Sequence, residues 1–338
     1  MIRPIKTIDA HAGGQTLRLV VEGFPRPRGR TLSQQWEWLR KHGTSLRSAL
    51  VRPPRGHDDM TAAVLCESAS PEAHAGILFM DGEGCPSTCG HGVISAATIA
   101  IERALFFTSQ PDESGTRLVF ETPAGIVRAD ARLAVHGETR RVDSVSTTNV
   151  PAFVHEASCP VRIGSRELRV DIAFGGAFYA IVDTEAAGIP LAPARLPDLR
   201  RLGRDICAAA NATARPDHPA DASIRGVAGA IFTGPPHDPE AHLRNVTVTS
   251  GGLVDVSPNA SGTSAVMAIL DAMGLLPEGQ PFVHEGLSGS LVRGLVAGRT
   301  EVGDRAALIT QVEGSAWITG EHTFFLDDED PFREGINF

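Results

Sequence analysis

The sequence predicts an α+β protein of two similar halves, each a mostly antiparallel sheet curled around one central helix. Three observations carry this. Cys89-Gly90-His91-Gly92-Val93-Ile94-Ser95-Ala96-Ala97 is matched 170 positions later by Asn259-Ala260-Ser261-Gly262-Thr263-Ser264-Ala265-Val266-Met267, with Gly92 aligned to Gly262. Both segments run from a small-residue turn into a stretch apolar on nearly every face, and a helix without a polar face must be surrounded. Short apolar runs broken by Gly and Pro flank each helix, which is strand texture.

The elements follow in order. Residues 1–22 read as strand, turn at His11-Ala12-Gly13-Gly14, and strand. Residues 31–49 read as a helix with Leu32, Trp36, Leu39 and Leu46 on one face. A polar turn at 55–60 leads to a strand from Thr61 to Leu65, and Ala75 to Met80 is another. The turn 81–88 precedes the first buried helix, roughly 91–104. After Pro111 the texture changes to strands. Leu118 to Thr122 and Ile126 to Ala129 form a hairpin around Pro123-Ala124-Gly125. Further strands are Val142 to Thr147, Val161 to Ile163, and Leu168 to Phe174. Gly175-Gly176 breaks the last before Phe178 to Val182. Residues 192–212 read as helix and 213–222 as an exposed loop. Strands recur at Val227 to Phe232, Asn245 to Thr249 and Leu253 to Val256. The second buried helix spans roughly 261–274, and strands fill 282–326.

Composition narrows the function classes. The chain has 338 residues, enough for two domains. Its 42% hydrophobic and 21% charged content excludes a disordered chain. A net charge of −9 without a basic run argues against a nucleic-acid partner. The N-terminus lacks the apolar core of a secretory signal, and no apolar run is long enough to span a membrane. The five cysteines, Cys66, Cys85, Cys89, Cys159 and Cys207, are sparse and odd in number. They fit reduced thiols and a cytoplasmic location.

The chemistry gathers at the two helix starts. A helix N-terminus presents unpaired N–H groups and a partial positive charge. Two such ends in one cleft would make a carboxylate site, and the residues there are small enough for backbone approach. A thiol at such a place is favoured as thiolate. An isolated cysteine reads as a buried inert thiol, but the Cys-Gly-His-Gly setting makes Cys89 a candidate base or nucleophile. His91 reads as a capping or core histidine, or as part of the site. Asn259 reads as a helix N-cap, or as a hydrogen-bonding group where a second acid–base residue might stand. Asp255 reads as a turn aspartate before Ser257-Pro258, or as a partner for a substrate ammonium. A metal reading of Cys85, Cys89 and His91 lacks a second ligand cluster and a zinc spacing. No flavin or pyridoxal signature is present, so no cofactor is expected.

At these residues the chain resembles the proline racemase family. That family includes proline racemase, 4-hydroxyproline 2-epimerase and trans-3-hydroxy-L-proline dehydratase, and it is related in fold to diaminopimelate epimerase. The family motif Met-Cys-Gly-His-Gly stands here as Thr88-Cys89-Gly90-His91-Gly92. The motif Asp-Arg-Ser-Pro-Cys-Gly-Thr-Gly-Thr-Ser-Ala stands as Asp255-Val256-Ser257-Pro258-Asn259-Ala260-Ser261-Gly262-Thr263-Ser264-Ala265. Other similar segments include Asp9 to Gly14, Pro54 to His57, Glu121 to Gly125, Asn149 to Phe153, Phe174 to Tyr179 and Asp330 to Phe332.

The resemblance implies a site in the cleft between two domains, expected at 1–130 with about 300–338, and 131–299. In the family two cysteines flank the substrate Cα, one removing a proton and the other delivering one. The carboxylate rests on N–H groups, here at Gly90, His91, Ala260 and Ser261. The ring nitrogen is held by residues resembling Asp255 and His91. The second cysteine is Asn259 here, and an amide cannot carry a proton at neutral pH. The dehydratase branch also lacks that cysteine, typically having threonine. The resemblance therefore implies dehydration of trans-3-hydroxy-L-proline, or of a close relative, to Δ1-pyrroline-2-carboxylate by Cys89. Racemisation or epimerisation with a non-thiol second base, and non-catalytic imino acid binding, are the alternatives. A monomer or homodimer is expected.

Overall fold

A computed structural model describes residues 2–106, 115–136, 139–276 and 279–336. Pro111, where the change in texture was placed, lies outside the described residues. The chain divides into two compact units, 1–147 with 315–338, and 148–314. The cuts expected near 130/131 and 299/300 fall inside the strands Gly125–His136 and Leu291–Val302. The observed cuts keep each of these strands with its hydrogen-bonded neighbour.

In the first unit, β1 (Ile2–Ala12) and β2 (Gln15–Glu22) form a hairpin. β1 also pairs with the C-terminal strand Ala316–Asp327. The helices α1 (Leu32–His42) and α2 (Thr44–Val51) then cross to β3 (Thr61–Cys66), which lies parallel to β2. β4 (Ala75–Met80) returns antiparallel. The buried helix α3 (Gly90–Glu102) crosses to β5 (Thr116–Thr122), parallel to β4. β6 (Gly125–His136) closes a hairpin with β5, and β7 (Thr139–Thr148) follows. Each parallel pair thus has the helical crossover its geometry requires. The helix expected over 31–49 is two helices broken at Gly43. A Cβ there would come within 2.6 Å of the Leu39 carbonyl oxygen, to which the Gly43 N–H bonds at 2.7 Å.

The second unit repeats this order. β8 (Phe153–Ile163) pairs with β9 (Arg166–Phe174), and β9 with β10 (Phe178–Asp183). The short α4 (Thr184–Ala187) and the longer α5 (Leu196–Thr213) follow. Residues 213–222, expected as a loop, contain a small ribbon of β11 (Asp217–His218) and β12 (Asp221–Arg225). The His218 ring anchors it against Phe174, with centroids 4.7 Å apart. β13 (Val227–Gly234) lies parallel to β10, and β14 (Leu243–Thr249) is antiparallel to β13. After β15 (Val254–Asp255), the buried helix α6 (Ala260–Ala272) crosses to β16 (Phe282–Gly286), parallel to β14. β17 (Leu291–Val302) and β18 (Arg305–Gly314) complete the unit.

The repetition reaches individual hydrogen bonds. His74 donates its N–H to Val119 O and accepts the Val119 N–H on Nδ1 at 3.1 Å. His242 makes the same pair with Val283, at 3.0 Å. Glu121 accepts the N–H of Ala69 at 2.9 Å, and Glu285 those of His237 and Asp238 at 2.6 and 3.0 Å. The sequence carries this signal in Pro71-Glu72-Ala73-His74 and Pro239-Glu240-Ala241-His242. In both central helices ten consecutive residues are buried, His91–Ala100 and Ala260–Ile269. That is why neither helix has a polar stripe. The fold is of the diaminopimelate-epimerase type.

Candidate active site

Each unit places its sequence-marked residues at the first turn of its buried helix. In the first unit, β4 ends at Met80 and Asp81 turns the chain. Its Oδ1 accepts the N–H groups of Glu83 at 2.8 Å and Gly84 at 2.7 Å. Burial nevertheless pushes this carboxyl up to about 6. Arg47 donates to the Asp81 carbonyl and Trp36 Nε1 to the Cys85 carbonyl at 3.0 Å. The loop is thereby fixed before it reaches the thiol.

Cys89 is the N-cap residue of α3, extended at φ −151°, and its side chain caps nothing. Its carbonyl accepts the Val93 N–H at 2.9 Å, starting the helix. The sulfur lies 3.3 Å from His91 Nε2 and 3.6 Å from Nδ1. Both residues are buried. A Cβ on Gly92 would come within 2.9 Å of this sulfur and 2.5 Å of Phe79 Cε1. Glycine is what lets the thiol lie over the first turn beside Gly90 and His91.

In the second unit, Asp255 at the end of β15 accepts both the N–H and the hydroxyl of Ser257, at 2.9 and 2.6 Å. The turn role read for this aspartate is therefore present. Ser257 Oγ in turn accepts the Asn259 N–H at 3.2 Å. The Pro258 carbonyl accepts from Asn245 Nδ2 at 3.0 Å and from the Thr263 hydroxyl at 3.2 Å. Thr263 also meets His284 Nδ1 at 2.9 Å. Full burial drives His284 down to about 3, so it is neutral at ordinary pH.

Asn259 sits at φ +58°, a backbone region that asparagine tolerates better than most residues. Its Oδ1 accepts the Gly262 N–H at 3.1 Å and the Ser261 hydroxyl at 2.8 Å. Its Nδ2 donates to Thr247 Oγ1 at 3.4 Å. The Tyr179 hydroxyl lies 2.9 Å from Ser261 Oγ. The N-cap reading of Asn259 is thus realised, and a Cβ on Gly262 would crowd Asn259 Cγ at 3.3 Å.

The structure gathers Cys89, Gly90 and His91 at α3, and Asp255, Asn259, Ala260 and Ser261 at α6. Sequence reading missed Tyr179, Thr247, Asn245 and His284. Tyr179 had a signal, since it is the chain's one tyrosine and ends a motif. The other three are strand residues without a local mark. Three of the other thiols, Cys66, Cys85 and Cys159, offer no easy proton carrier. Burial pushes Cys66 up to about 12 and Cys85 and Cys159 up to about 11. Among the described residues no three His, Cys, Asp or Glu side chains are grouped so that they could hold a metal ion.

The proline racemase family model matches residues 7–337. The chain belongs to the proline racemase family. It is 37% identical over 335 residues to a proline racemase of Clostridioides difficile, covering 99% of this chain and 98% of that one. It is equally 37% identical over 330 residues to a trans-3-hydroxy-L-proline dehydratase of Bacillus cereus, covering 98% and 97%. A hydroxyproline epimerase from Agrobacterium vitis, solved with bound trans-4-hydroxy-L-proline, superposes with a TM-score of 0.90. It is 31% identical and covers 99% of this chain and 96% of that one. Family members are enzymes, isomerases and lyases among them, that act on small imino acids. No helix among the described residues is long and apolar enough to cross a membrane.

Proposed function

We propose that the protein is a cofactor-independent hydro-lyase that dehydrates trans-3-hydroxy-L-proline, or a close relative, with Cys89 as its single base. The observation that carries this reading is the state of position 259. The amide there is a helix cap, and an amide takes up no proton at neutral pH. A two-base inversion needs a proton carrier on each face; dehydration needs one.

In the proposed step the Cys89 thiolate removes the Cα proton, with the His91 ring at 3.3 Å placed to exchange protons with the sulfur. The freed electron pair forms the Cα–C3 double bond. The C3–O bond breaks, and the leaving hydroxide, on the same ring face, takes the proton that Cys89 removed and departs as water, which returns the sulfur to thiolate. The enamine then tautomerises to Δ1-pyrroline-2-carboxylate. Backbone N–H groups of Gly90, His91, Ala260 and Ser261 hold the carboxylate, whose charge grows delocalised as Cα is deprotonated. Asp255 and His91 hold the ring nitrogen.

The second reading is epimerisation of a hydroxyproline, favoured by the likeness to the Agrobacterium vitis enzyme. Trapping with 2-aminobenzaldehyde separates the two. A lyase yields the coloured imine adduct from the 3-hydroxy substrate, and Cys89→Ala slows its formation by about a thousandfold. Failure of the wild-type protein to form imine, with the 2-epimer appearing instead, would sink the lyase reading.

A further inference from the structure

The internal repeat sets Gly76 of the first unit against Arg244 of the second. Strand register fixes the match. Gly76 pairs with Cys66 on one side and Glu121 on the other; Arg244 pairs with Gly234 and Glu285. In the second unit the Arg244 guanidinium is buried, with Nε 3.3 Å from Glu285 Oε1. Its other nitrogens reach His237 Nε2 at 3.0 Å and the Leu191 and Leu287 carbonyls at 3.2 and 3.0 Å. Glu285 Oε2 is left for the loop N–H groups of His237 and Asp238.

The first unit keeps the carboxylate and lacks the cation. Glu121 Oε2 accepts the Ser68 hydroxyl and the N–H groups of Ala69 and Ser70, as Glu285 Oε2 serves its own loop. Among the described residues nothing donates to Glu121 Oε1 and no cation meets this carboxylate. Nearby lies a cavity of about 460 Å³, lined among others by Pro27, Gly29, Gln35, Cys66, His74 and Phe106. The Cys66 thiol ties Glu121 to it: burial, then the Glu121 and Glu67 carboxylates, push that thiol up to about 12. A Cβ on Gly76 would come within 2.8 Å of the Cys66 sulfur, so the thiol stands where an arginine stem would start. Gln35 is 5% exposed. Its Nε2 donates to the Gly29 and Glu67 carbonyls at 3.4 and 3.1 Å, and its buried Oε1 has no partner. Arg26, at the exposed rim, pairs with Glu67 at 3.5 Å. Phe106 follows the C-terminal end of α3, whereas Cys89 caps its start; 13 residues of helix, about 20 Å, separate the two.

We propose that this cavity is a second ligand site, which binds a small guanidinium compound in place of the buried arginine of the other unit. The guanidinium would pair with Glu121 and donate to Gln35 Oε1. The volume is in the range of small-molecule sites. A planar guanidinium offers several N–H groups in fixed directions to a carboxylate and a neighbouring acceptor, which an ammonium does not. No residue of the site belongs to the start of α3 or α6, so the proposal is independent of the reaction at Cys89.

Calorimetry with n-propylguanidine, an arginine side chain cut at Cα, tests it. Saturable one-to-one binding is expected, with n-butylamine at least tenfold weaker. Glu121→Gln keeps an acceptor for the Ser68–Ser70 turn and is expected to lower the affinity tenfold or more, the scale of a hydrogen bond to a charged group. Cys66→Gly with Gly76→Arg copies the second unit. It is expected to remove binding and to raise the melting temperature, because the chain then supplies its own guanidinium. Melting temperatures show which variants fold, and Glu121→Gln decides the matter if the double variant does not. No saturable binding by the wild-type protein, equal affinity for n-butylamine, or unchanged affinity in either folded variant overturns the proposal.

Discussion

The starts of α3 and α6 are built on one plan and finished differently. Both follow a turn braced by an aspartate, Asp81 or Asp255, and both need glycine at the third helical position, Gly92 or Gly262. At α3 the N-cap side chain is a thiol that caps nothing and touches a histidine. At α6 it is an amide whose oxygen holds two donors. A side chain consumed in capping is not available to move protons. The first start leaves its cap side chain unengaged by the helix, and the second ties its cap side chain into a local hydrogen-bond network.

The sharpest way to break this contrast is to remove each N-cap side chain in turn. Cys89→Ala is expected to lower dehydration by about a thousandfold, the scale of a lost general base. Asn259→Ala is expected to leave Cα proton abstraction within about tenfold of wild type, the scale of one lost hydrogen bond. Steady-state rates by proton NMR check both. Equal losses would mean that both faces carry protons.

The glycines give a second comparison. A methyl at Gly92 meets the Cys89 sulfur, whereas at Gly262 it meets Ile231 Cδ1 and the amide cap. Both alanine variants are expected to lose about 1–3 kcal/mol from overpacking. Only Gly92→Ala should also lose activity beyond what its melting temperature explains.

A smaller effect concerns the cap itself. Asn259→Ala leaves the Gly262 N–H and Ser261 hydroxyl without their acceptor and is expected to cost about 1 kcal/mol. Asn259→Asp keeps the cap oxygen and should retain most of that stability in chemical denaturation. If alanine and aspartate prove equivalent, the cap contributes nothing.

The last comparison lies one layer deeper. The internal repeat sets Phe120 against His284 and Val93 against Thr263, so the second unit has a hydrogen-bonded polar pair at positions that are apolar in the first. The folded His284 titrates near 3, below its ordinary 6.5. The unfolded chain therefore takes the proton first. The stability from keeping this ring neutral is present above about pH 6.5 and is lost progressively as pH falls toward about 3. His284→Phe with Thr263→Val should flatten that acid limb of the denaturation profile. An unchanged limb would assign the acid sensitivity to other groups.

Much of this was legible in sequence because burial and catalysis both constrain composition. Ten successive residues without a polar face could only be surrounded helices, and Cys-Gly-His-Gly at a helix start marked the thiol. Gly43 was missed as a break because the apolar spacing of Leu39 and Leu46 continues across it. The ribbon at 217–225 was missed because it is anchored by a ring contact between His218 and Phe174, distant in sequence. The Tyr179–Ser261–Asn259 contacts form only when the fold brings β10 to the start of α6, and nothing local to Tyr179 names its partner.

The central claim is that one face of the substrate Cα meets a proton carrier and the other does not. Incubating the protein in D2O with trans-3-hydroxy-L-proline and following both substrate and product by proton NMR tests it most directly. The account predicts conversion to Δ1-pyrroline-2-carboxylate with no 2-epimer at any time. Accumulation of the 2-epimer carrying deuterium at Cα would contradict it.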